Sequence, residues 1–167
     1  RAVVETETNC NSAVVPIPDN SPSGVTSEIY VGDAAEISSV TVSVGISHTW
    51  REDLAVNLTS PMGTTVALHD RTGGSGRDLV ETYEELAEFK GEPTRGVWLL
   101  TVSDTARLDS GTLDNWCISM SAVAYGAVAL MVDDFDAHAG EAGVQLSWNL
   151  STGGGLRGLQ ILRRLGQ

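Results

Sequence analysis

The feature that most constrains this chain is a period of two. Apolar side chains alternate with polar ones at Val40, Val42, Val44 and Ile46, then at Leu54, Val56 and Leu58, then at Trp98, Leu100 and Val102, and again at Trp116, Ile118 and Met120. Successive residues of a strand point to opposite faces, so each run predicts a strand with one buried side. Between the runs lie Ser60-Pro61-Met62-Gly63, Arg71-Thr72-Gly73-Gly74-Ser75-Gly76 and Asp109-Ser110-Gly111, where glycine supplies backbone angles that a tight turn needs. Segments with helical spacing are nearly absent. Short strands at this interval predict an all-β fold, a sandwich or jelly roll of about eight strands.

One segment departs from the alternation. Between Asp78 and Glu92 stand Asp78, Glu81, Glu84, Glu85, Glu88 and Glu92 against Lys90, with Leu79, Tyr83 and Leu86 at helical spacing. That predicts a helical turn or an acidic loop, either a solvated face or a cation site. Acidity is general, for the 167 residues carry a formal net charge of −12. A surface of that sign repels nucleic acid and anionic membranes alike. No run approaches the roughly 18 apolar residues that would cross a bilayer; the longest candidate is Ala122–Val132. The chain does not open with a basic and then apolar leader, so any secretory signal is expected to be cleaved or to lie upstream.

From Ala122 the composition shifts to small residues, predicting a linker over 122–131. Alternation resumes at Val144, Leu146, Trp148 and Leu150 and again at Leu159 and Ile161. Two or three strands cannot cover their own apolar face, so this partial second module is expected to associate through its edge strands with a second copy.

Residues capable of chemistry are few. No Ser sits in a nucleophile elbow near His48, His69 or His138, and no zinc spacing occurs, so no catalytic residue is assigned. Gly153–Gly158 fits a dinucleotide-binding glycine string but lacks the following helix and acidic residue, and is expected to be a hairpin loop. Asp133-Asp134-Phe135-Asp136 fails the calcium-loop pattern, with Ala139 and Gln145 where Gly and Glu belong. The sequons at Asn57 and Asn149 fall in predicted strands. Cys10 and Cys117 are the only cysteines. They are either two thiols or, lying at the two ends of one sandwich, a bridge; the bridge is expected, and with it an oxidising, extracellular compartment.

Taken in order, Ile17-Pro18-Asp19, His48-Thr49-Trp50-Arg51-Glu52-Asp53-Leu54, Leu58-Thr59-Ser60-Pro61-Met62-Gly63-Thr64, Leu68-His69-Asp70, Gly96-Val97-Trp98, Val102-Ser103-Asp104 and Gly111-Thr112-Leu113-Asp114-Asn115-Trp116 resemble the P (Homo B) domain of kexin- and furin-like proprotein convertases. The resemblance implies an eight-stranded jelly roll that is not itself catalytic. It implies a partner too, the catalytic domain of a secreted subtilisin-like serine protease or another secreted hydrolase in the same parent protein. Where several convertases carry Arg-Gly-Asp-Leu, this chain has Arg51-Glu52-Asp53-Leu54, which speaks against integrin-type adhesion. From Val132 the tail resembles the opening strands of a fibronectin-III-like module. The expected organisation is a segment 1–16, a P domain 17–121, a linker 122–131 and the partial module 132–167.

Two expectations follow for function. The leading one is a non-catalytic accessory domain that stabilises or positions a protease; the alternative is an extracellular binding or structural module, with Trp50 and Tyr83 as exposed stacking surfaces for carbohydrate or a cell-surface partner. Carboxylates gathered in one place repel unless a cation sits among them. A Ca²⁺ site is therefore expected from Asp53 with Glu84 or Glu85, joined by Asp19 or Asp104, the acidic segment otherwise being a solvated face.

Overall fold

The computed structural model describes residues 3–124, 131–140 and 143–151. Two units result, Val3–Ala124 and a second that begins at Tyr125. In the first, β1 (Val3–Asn11), β2 (Val15–Ile17), β4 (Glu36–His48), β7 (Leu79–Tyr83) and β9 (Gly111–Ala124) make one antiparallel sheet in the order β1-β9-β4-β7, with β2 also on β9. A second sheet runs β3-β8-β5-β6, from β3 (Ser21–Val31), β8 (Gly96–Asp104), β5 (Leu54–Thr59) and β6 (Thr65–Asp70). Single 3₁₀ turns at Arg51–Asp53 and Ala87–Phe89 are the helical elements among the described residues.

The alternating residues fill the space between the sheets. Val40, Val42, Val44 and Ile46 from β4 and Trp116, Ile118 and Met120 from β9 face Leu54, Val56 and Leu58 from β5 and Trp98, Leu100 and Val102 from β8, all buried. Each such side chain is worth roughly 1.5–3 kcal/mol of burial. The two indoles are also satisfied as donors, Trp98 Nε1 to the Thr94 carbonyl at 3.0 Å and Trp116 Nε1 to Ser27 Oγ at 2.9 Å. Phe89 meets Trp98 edge-on at 5.2 Å, so the second 3₁₀ turn closes one end of the core.

Two elements differ from the sequence expectation. Leu79–Tyr83 is a strand paired with Val42–Ile46, not a helical turn. A spacing of four fits both periods, and β4 offered an open edge that this segment could complete only as a strand. The segment before Ile17 is part of the sheet, since β1 pairs along β9 from Val3↔Ala124 to Asn11↔Trp116. Cys10 stands directly opposite Cys117 in that register, with Cα atoms 4.0 Å apart and the bridge formed.

In the second unit β10 (Met131–Gly140) and β11 (Gly143–Ser151) form an antiparallel hairpin. Asp133–Asp136 lies within β10, and Val144 is exposed. The side chains of Leu146, Trp148 and Leu150, the glycine string 153–158, and Leu159 and Ile161 lie outside the described residues.

Candidate functional site

Polar chemistry gathers at one end of the sandwich, where β4 finishes, β5 begins, β8 finishes and β9 begins. His48 closes β4 and Asp104 closes β8; both side chains are fully buried, with Nε2 3.3 Å from Oδ2. Asp104 is opposite Leu54 in the β5–β8 ladder, which fixes its place beneath the 3₁₀ turn. Its other oxygen accepts the Ala106 N–H at 3.0 Å. The Nδ1 of His48 lies 2.8 Å from the Trp50 carbonyl and 3.2 Å from the Trp50 N–H. Gly111 lets the ring sit there, because a Cβ on it would fall 2.2 Å from the Ser47 carbonyl and 2.5 Å from the imidazole.

With both ring nitrogens engaged inside the protein and no face open to solvent, His48 is not placed to take a proton from a substrate; it ties two strand ends together. Beside it opens a groove of about 470 Å³ lined by Ser47, Thr49, Arg77, Asp78, Ser110 and Thr112. Three of its four hydroxyls donate to carboxylates: Ser47 Oγ to Asp114 at 2.6 Å, Thr112 Oγ1 to the same side chain, and Thr49 Oγ1 to Asp109. His69 is likewise buried, its Nε2 3.2 Å from the Arg51 carbonyl. The Arg51 guanidinium reaches Glu81 at 3.1 Å and the Asp78 carbonyl, bracing the turn from the far side.

The carboxylates expected to share a cation fall in two places. Asp53, Asp104 and Asp109 are neighbours: burial, and after it the charges of Asp104 and Asp109, raise the Asp53 carboxyl above its ordinary 3.8. Asp19 joins them from the β2–β3 connection, but its two oxygens receive the Leu108 N–H at 3.1 and 3.3 Å. Glu84 and Glu85 follow β7 where Leu86 N–H meets the Val40 carbonyl. Val40 is eight residues up β4 from His48, about 25 Å along the strand. Glu84 and Glu85 are therefore not brought to Asp53. Among the described residues no group of three or more His, Cys, Asp or Glu side chains is arranged to hold a metal ion. Asp19, Asp104 and Asp109 each accept a hydrogen bond, and each carboxylate keeps further lone pairs.

Tyr83 is no stacking platform. It packs partly against the core and donates to Glu81 at 3.2 Å, and burial together with the Glu81 charge holds its phenol well above the ordinary value. Trp50 is exposed as expected. Leu108 escaped the sequence reading, since a lone leucine in Arg107-Leu108-Asp109 carries no period.

Residues 37–120 match the proprotein convertase P-domain, half of the chain, and the chain belongs to that family. It is 42% identical over 65% of its length to leupeptin-inactivating enzyme 1 of Streptomyces exfoliatus, and 33% identical over 65% to a calcium-dependent protease of Trichormus variabilis. The aligned region is 25% of the first relative and 18% of the second, so the chain spans a quarter or less of these proteins. The serine protease of Aeromonas sobria shares the fold at TM-score 0.61, with 18% identity over 72% of this chain and 27% of that one.

Proposed function

We propose that this chain is the accessory domain of a secreted serine protease of the subtilisin and kexin type, stabilising or positioning the catalytic domain and performing no chemistry of its own. The observation that carries this reading is the occupied His48: its ring nitrogens are bound to Asp104 and Trp50, and no nucleophile shares them. The disulfide fits the oxidising compartment in which a secreted protease works. In this reading the sandwich Val3–Ala124 is the docked domain, and 132–167 begins a separate fibronectin-III-like module. The purified chain is expected to hydrolyse neither peptide nor ester substrates. Turnover that persists through repurification and disappears on substitution of one residue here would overturn the proposal.

A further inference from the structure

The edge strand β1 lies on its sheet without entering the core. Between Glu5 and Asn11 no residue is buried, and the buried cluster includes none of them. On its inner side Glu5 and Glu7 line a cleft of about 260 Å³ with Asp33, Thr94, Met120 and Ala122, where a packed strand would leave no room. Asn9 donates to Glu7 at 2.8 Å within the same strand, and Asn11 reaches across to the Glu28 carbonyl at 2.9 Å. On the outer side Thr6 meets Ser121 and Thr8 meets Ser119, hydroxyl pairs open to water that add little.

The chain after β1 is held differently. Ser12, Ala13 and Val14 are exposed, whereas Ile17 of β2 is buried in the core. A loosened β1 can therefore swing at 12–14 while Ile17 keeps its place. Besides the backbone ladder on β9, β1 is held by its bridge. Cys10 shares the outer side with Thr6 and Thr8, since alternate residues of a strand face the same way. Cys10 is exposed and Cys117 partly so. A thiolate needs such access to attack a disulfide sulfur, and a bridge sealed in a core denies it until the fold opens.

We infer that the Cys10–Cys117 bridge is a reducible latch, which a dithiol opens in the folded protein to release β1 from β9 while the core stays closed. A thiolate of the dithiol attacks the more exposed Cys10 sulfur, and Cys117 leaves as a thiolate that takes up a proton. The second thiol of the reductant then displaces Cys10. The dithiol is oxidised to a disulfide, and the protein gains two electrons and two protons as two thiols. The experiment treats the native chain with dithiothreitol and then with a glutamate-specific protease. Glu5 and Glu7 on β1 are expected to be cut about tenfold faster or more than in the oxidised chain, because cleavage tracks the released population. Glu28 on β3 is expected to stay uncut over the same interval, and the near-ultraviolet circular dichroism of the packed Trp98 and Trp116 to be unchanged. Cys10→Ser with Cys117→Ser is expected to give the same pattern without reductant. A bridge that dithiothreitol reduces only after denaturant is added would overturn the inference, as would a reduced chain whose Glu5 and Glu7 stay protected. Cleavage at Glu28 in step with Glu5 and Glu7, with loss of the dichroism, would overturn it too, for the bridge would then lock the whole fold and not one strand.

Discussion

Asp53 shows what the crowding of carboxylates does to a single residue. Its carboxyl titrates above 3.8 because burial and the neighbouring Asp104 and Asp109 disfavour the charged form. The folded state thus holds this proton more tightly than the unfolded chain does, so the ionised group weakens the fold once the pH is above both values and that cost vanishes as pH falls below 3.8. Asp53→Asn is expected to raise the thermal midpoint near neutral pH by about 1–2 °C, the scale of a partly exposed charge, and to have no effect in strong acid. Melts across a pH series check this; a lowered midpoint at neutral pH would contradict it. Asp19, Asp53 and Asp104 were legible as strand-end acids, yet their partners were not. Which loops meet depends on the sheet order, and this order brings Asp109 to Asp53 and leaves Glu84 and Glu85 far up β4.

At the scale of elements, strands with one apolar face announced themselves, as at Val40–Ile46 and Trp98–Val102. The edge strand β1 did not, because Glu5, Glu7 and Asn9 lie opposite Ala122, Met120 and Ile118 and turn polar groups toward the inner side of the sheet. Inward charge on an edge deters pairing with another chain, at the cost of the hydrophobic signal. A covalent tie adds to its ladder on β9. Cys10 and Cys117 close a loop of 107 residues, which on the chain-entropy account stabilises the fold by about 4–5 kcal/mol. Cys10→Ser with Cys117→Ser is expected to lose stability on that scale, a large share of the 5–15 kcal/mol typical of a domain. Denaturant melts measure the loss, and non-reducing peptide mapping checks the bridge: both thiols alkylating in the native protein would contradict it.

For the whole molecule, the net charge of −12, the buried His48–Asp104 tie and the family assignment bear on one another. In the accessory role proposed above, the acidic sandwich acts on a neighbouring domain rather than on a substrate. A domain that binds only the native form of its neighbour stabilises it by mass action, and a covalent link keeps the effective concentration high. The most direct measurement is calorimetry on the parent protease, intact and with the sandwich Val3–Ala124 removed. The account predicts that removal lowers the catalytic domain's unfolding midpoint by several degrees. A catalytic domain that melts at the same temperature with and without this domain would contradict it.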